Sequence, residues 1–151
     1  MAARPDPFDG TELEFWLGDW DVSWEGGQGM NRLERILDGR VIHERFEEAA
    51  GVGDDALRGE SWSSFEPGRA LWRQTWVDNQ GGYLDLVGER VDGWFAFARR
   101  APERGPDAWQ RMVFRDVAED AFSWTWEFSD DNGATWSIRW EIAYRRRALA
   151  G

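Results

Sequence analysis

Three polar residues stand between apolar ones at a two-residue spacing: Glu44 between Ile42 and Phe46, Gln74 between Trp72 and Trp76, and Arg111 between Trp109 and Val113. In a strand, alternate side chains share a face, so each polar group sits on an apolar face. A carboxylate placed there is a candidate general base if burial raises its pKa. An arginine there can hold a ligand carboxylate through two parallel hydrogen bonds. Tryptophans on the same faces, Trp76, Trp126 and Trp140, would form an indole wall. Glu44, Gln74, Trp76, Arg111, Trp126 and Trp140 are therefore the candidate ligand-binding set: a few fixed polar groups in an apolar enclosure, the usual make-up of a small-molecule site. The competing reading is that Glu44 and Arg111 pair with each other, or face solvent, and only hold the fold together.

The remaining chemistry is narrowed by what the chain lacks. It has no cysteine and one histidine, His43. That excludes disulfides, thiolate chemistry and a multi-histidine metal site. No metal and no cofactor is expected. No Ser-His-acid set can be assembled around His43. Gly26-Gly27-Gln28-Gly29 is a turn between strands and not a phosphate loop, because no helix follows it. Asp130-Asp131-Asn132-Gly133 resembles part of a calcium loop but lacks the closing Glu, and a hairpin turn explains it. The net charge of −11 repels a phosphate backbone and anionic lipid surfaces, which argues against nucleic acid and membrane partners. The first residues carry no apolar leader region, and a cytoplasmic location is expected. A small-molecule ligand is the expected partner, and a homodimer is allowed.

The elements that must position these groups follow from the turns. Residues 1–7 read as a loose arm and 8–17 as a turn of helix with Thr11 as N-cap and Glu14 three residues on. Alternating segments then recur at 20–25, 31–37, 41–48, 57–65, 70–77, 83–91, 94–99, 108–117, 122–129 and 136–144. Between them lie Asp38-Gly39, a flexible acidic loop at 49–55, Glu66-Pro67-Gly68, Asn79-Gln80-Gly81-Gly82, Asp92-Gly93 and Asp130–Gly133, which are turn signals. About ten short strands with almost no helix make an all-β, up-and-down antiparallel barrel or sandwich. A length of 151 residues suits one domain. The twelve tryptophans either fill the core of such a fold or wall a pocket.

Gly18-Asp19-Trp20 at the mouth of the first strand resembles the N-terminal signature of the calycins, the lipocalin-like barrels. Four stretches extend the likeness: 16–22, 37–42, 73–79 and 131–136. From residue 8 to 146 the chain resembles an uncharacterised bacterial domain-of-unknown-function family of the calycin superfamily. The resemblance implies a lipocalin-like barrel whose base is plugged by a short helical turn and by Trp20. It also implies an arginine from a late strand across the Trp20 ring, for which Arg139 and Arg145 are the candidates. It implies no activity. The nitrobindin-like barrels are similar in topology and in their Gly-x-Trp start, and bind haem through a late-strand histidine. The last strand here has none, and His43 reads as a surface residue.

Three functional readings remain. The first is a barrel that binds a small, partly apolar molecule. The second is an enzyme, an isomerase, cyclase or hydrolase, using Glu44 with Arg111. The third is a filled barrel acting as a structural or interaction module.

Overall fold

The computed structural model describes residues 7–49 and 55–148. The loose arm expected at 1–7 and the acidic loop at 49–55 lie largely outside the described residues. Ten strands follow a short 3-10 turn at Glu14–Trp16: β1 Gly18–Trp24, β2 Gly27–Ile36, β3 Val41–Glu48, β4 Arg58–Glu66, β5 Leu71–Asp78, β6 Tyr83–Val91, β7 Trp94–Arg100, β8 Trp109–Arg115, β9 Ala121–Ser129 and β10 Ser137–Arg146. Each pairs antiparallel with its sequence neighbour, and β1 closes on β10, giving a closed up-and-down barrel. Closure removes both edges of the sheet.

The hairpins form where the turn chemistry places them. Asp92 and Gly93 both have positive φ (50° and 82°), and they join β6 to β7 with two residues. That is the backbone a two-residue turn needs to match strand twist. The N-terminal element is shorter than expected. Only Glu14–Trp16 is helical, and Thr11 contributes its carbonyl to the Glu14 amide rather than capping with its side chain.

One end of the barrel is solid. Leu13 and Trp16 from the N-terminal turn are buried there with Trp20, Phe95, Phe114 and Phe122. Their rings meet mostly edge-on or tilted, as in Trp16–Phe114 at 5.1 Å and Trp20–Phe122 at 4.8 Å, which suits the aromatic quadrupole. The Trp20 Nε1 donates to the Trp16 carbonyl at 2.8 Å, tying strand to plug.

The guanidinium over Trp20 belongs to Arg146, 4.2 Å from the ring centroid, and not to Arg139 or Arg145. The reason is register. β10 runs two residues past Tyr144, Trp20 pairs with Arg146, and Arg145 pairs with Asp21 on the opposite face. Arg139 lies at the other end of β10, over Phe128.

A bulge between Ile138 and Trp140 changes the last strand. The alternating stripe 136–144 reads as one face in the sequence, but the extra residue splits it. Ile138 pairs with Glu127 and is 57% exposed, while Trp140, Ile142 and Tyr144 face inward opposite Trp126, Trp124 and Phe122.

Candidate functional site

The far end of the barrel holds a cavity of about 290 Å³. Its apolar wall comes from Phe46 on β3, Trp76 on β5, Met112 on β8, Trp124 and Trp126 on β9 and Trp140 on β10. Leu57, Leu84 and Ile142 fill between them, and Asp78, Gly82, Arg104 and Gln110 complete the lining. Trp124 and Trp126 lie nearly parallel, 6.5 Å apart, and Trp140 stands edge-on to Trp124 at 5.7 Å.

The space exists because β4 presents small residues inward. Gly59, Ser61 and Ser63 alternate on its buried face, opposite Asp78, Trp76 and Gln74 of β5. A side chain at Gly59 would collide with the Trp76 ring, so the glycine lets the indole lie across β4. Trp76 is held by its Nε1 donating to Asp78 Oδ2 at 2.9 Å. The Asp78 carboxylate in turn accepts from the Gln80 and Gly82 amides in the following turn.

Glu44 and Tyr144 supply polar lining at the inner end of this cavity. Glu44 is 5% exposed. It accepts from Asn31 Nδ2 and from Ser61 Oγ, both at 2.7 Å. Asn31 Nδ2 also donates to the Tyr144 hydroxyl at 2.9 Å. The phenol thereby keeps its own proton to donate. Burial pushes the Glu44 carboxyl above its ordinary value, against the lowering pull of the hydrogen bonds from Asn31 and Ser61. Burial raises the Tyr144 phenol well above its ordinary value too, and the nearby Glu44 adds to this. The arrangement can hold a polar head between an acceptor and a donor, with an apolar body against the indoles.

Of the residues expected from the sequence, Glu44, Trp76, Trp126 and Trp140 converge on this cavity. Gln74 faces inward and is buried, but it lies outside the cavity lining and donates through Nε2 to Ser63 at 3.0 Å. Its Oε1, like Asn31 Oδ1, has no hydrogen-bond partner among the described residues.

Arg111 is not in the lumen, which corrects the expectation that it meets a ligand there. Both faces of β8 carry apolar residues, so alternation alone does not say which face points in. Gln110, Met112 and Phe114 point in, and Arg111 points out. On the outer face Arg111 Nε and Nη2 each reach Glu127 Oε1 at 2.9 Å. Arg115 and Thr125 bind the other Glu127 oxygen at 2.8 and 2.7 Å. Trp136 covers the guanidinium at 3.9 Å. Burial opposes ionisation of Glu127, but the hydrogen bonds from Arg115, Thr125 and Arg111 outweigh it and hold the carboxyl below its ordinary value. The proposed Glu44–Arg111 pair therefore does not form, either as catalytic partners or as a structural bridge.

His43 also faces outward. Its ring stacks on Trp62 at 5.1 Å and contacts Glu60 Oε1 at 2.6 Å, away from the cavity. Among the described residues, no group of histidine, aspartate and glutamate side chains is placed to hold a metal ion. No helix among them is long and apolar enough to cross a membrane.

Sequence reasoning missed Asn31, Ser61, Trp124 and Tyr144 as site residues. The signal for Asn31 was present: it shares a face with Leu33 and is a polar break in an apolar alternation. Tyr144 and Trp124 were visible only as members of aromatic stripes, with nothing to separate wall from core.

No protein-family model matches the chain, and no curated protein matches it.

Proposed function

We propose that the protein binds a small, partly apolar molecule in the unplugged half of its barrel. The observation that carries this reading is the cavity of about 290 Å³ walled by Phe46, Trp76, Trp124, Trp126 and Trp140, with Glu44 and Tyr144 among its lining. A fold that only needed a filled core would place further rings there, as it does at the plugged end. The volume is near the lower end of the range for small-molecule sites, about 300 Å³, and suits a one- or two-ring compound. Apolar walls contribute about 25 cal/mol per Å² buried, less the cost of ordering the ligand. The plugged, closed barrel and the Trp20–Arg146 contact support placing the chain among the calycins. A cysteine-free chain suits the reducing cytoplasm.

The test is fluorescence. Four indoles line the cavity, so a bound compound that does not absorb at the indole excitation wavelength perturbs their emission. Titration with 4-phenylbutan-1-ol should change the intrinsic emission saturably, and Met112→Trp, which fills the cavity, should abolish the change. A wild-type emission unaltered up to the solubility limit refutes the reading. The enzyme reading is weaker, because the cation assigned to work with Glu44 is on the outside of the barrel.

A further inference from the structure

We infer that the cavity selects a cationic ligand, an amine whose ammonium group sits against Glu44 while its apolar body lies among Trp76, Trp124, Trp126 and Trp140. This rests on the binding function proposed above and names the class of ligand.

The argument begins with a missing countercharge. Glu44 lies at the inner end of the cavity and is 5% exposed. Among the described residues no arginine makes an ion pair with it, and its partners Asn31 and Ser61 are neutral. Removing a carboxylate from water is costly unless a cation and hydrogen bonds offset it. The two basic neighbours on its own strand, His43 and Arg45, face outward and are engaged by Glu60 and Glu34. The upward push of burial on the Glu44 carboxyl has the same origin. A ligand ammonium entering the cavity would supply the absent cation.

The walls favour the same charge. Indole faces attract cations through their quadrupole, more strongly than other side-chain rings and more strongly still when desolvated. Trp124, Trp126, Trp140 and Trp76 line a single cavity. An anionic head would meet these electron-rich faces and the Glu44 carboxyl together, both unfavourable. Among the described residues the one basic group lining the cavity, Arg104, is exposed on the 3-10 turn Pro102–Arg104. It lies at the mouth together with Asp78, so it does not compensate Glu44. The protein's net charge of −11 also raises the local concentration of cations over anions.

The experiment compares three probes of one shape: 4-phenylbutylamine, 4-phenylbutan-1-ol and 4-phenylbutyrate, titrated into wild-type protein and Glu44→Gln by calorimetry at low salt. In the wild type the amine should bind at least about tenfold more tightly than the alcohol, and the carboxylate more weakly than the alcohol. In Glu44→Gln the ratio of amine to alcohol affinity should fall at least several-fold, to the smaller preference that the indoles alone supply. An amine that binds no more tightly than the alcohol overturns the inference and leaves the binding function standing. So does a preference that survives Glu44→Gln undiminished, or a carboxylate that binds most tightly, which would point to Arg104. Failure of all three probes to bind removes the binding function and this inference together. If Glu44→Gln does not fold, the wild-type ranking decides by itself.

Discussion

Arg146 lies over the face of Trp20, its guanidinium carbon 4.2 Å from the ring centroid, and these two residues are directly paired between β10 and β1. The arginine joins the last strand to the first at the seam that closes the barrel. It also donates to the Leu17 carbonyl at 2.7 Å and the Phe15 carbonyl at 3.1 Å, anchoring the plug. One residue thus holds the strand seam and the filled end together.

Trp20→Ala should cost about 3–5 kcal/mol, the range for losing a buried large aromatic, because the indole is 1% exposed. Arg146→Met should cost about 1–3 kcal/mol by leaving the plug carbonyls without their donor. Urea denaturation midpoints measure both. A midpoint unchanged in Trp20→Ala would contradict the account of the plugged end.

The pH dependence follows from Glu44. Its folded pKa is raised above the ordinary 4.5 by burial, so between the two values the folded state holds the proton more tightly than the unfolded state. Stability from this group is therefore lost as pH rises from the unfolded value through the folded one, and is level beyond it. Glu44→Gln lacks that step. The stability of the variant minus that of the wild type should grow as pH rises above 4.5 and level off beyond the folded value, read from urea midpoints at several pH values. A difference that is constant or shrinks with pH would show that the carboxyl is not held in this desolvated state.

Gly59→Ala should move the Trp76 indole, since an added methyl meets its ring. The expected result is a fold retained by circular dichroism with a several-fold weaker affinity for 4-phenylbutan-1-ol. An unaltered affinity would place Trp76 outside the binding wall.

Arg111→Ala separates the outer face from the lumen. Loss of the Glu127 contact and of the Trp136 stacking should lower stability by about 1–3 kcal/mol, with Arg115 still holding Glu127. Affinity for a lumen ligand should not change. Weaker ligand binding without a loss of stability would return Arg111 to the site.

The barrel was legible because strand alternation and hairpin turns are both local. Asp92-Gly93 carries its turn geometry in two residues and Asp38-Gly39 lies at the centre of the four-residue link 37–40, and sequential turns leave little freedom of topology. The candidate site was legible where one face of a strand is clearly apolar, as at Ile42, Glu44 and Phe46. It was not legible on β8, where Trp109, Arg111 and Val113 alternate with Gln110, Met112 and Phe114 and either set could face inward. The bulge in β10 leaves no mark on the alternation of Trp136, Ile138 and Trp140, so the split of that stripe was invisible. The Trp20 partner was missed because β10 extends to Arg146, and strand ends are the least determined part of a periodic pattern.

The central claim, a ligand in the unplugged half of the barrel, is tested most directly at Met112. Its side chain lines the cavity, whereas Met30 is 42% exposed and lies outside that lining. Methionine methyl groups labelled with carbon-13 can be followed by NMR during titration with 4-phenylbutan-1-ol. The account predicts a saturable shift of the Met112 methyl resonance with that of Met30 unmoved. A Met112 resonance that stays fixed at the highest soluble concentration, or shifts confined to Met30, would contradict it.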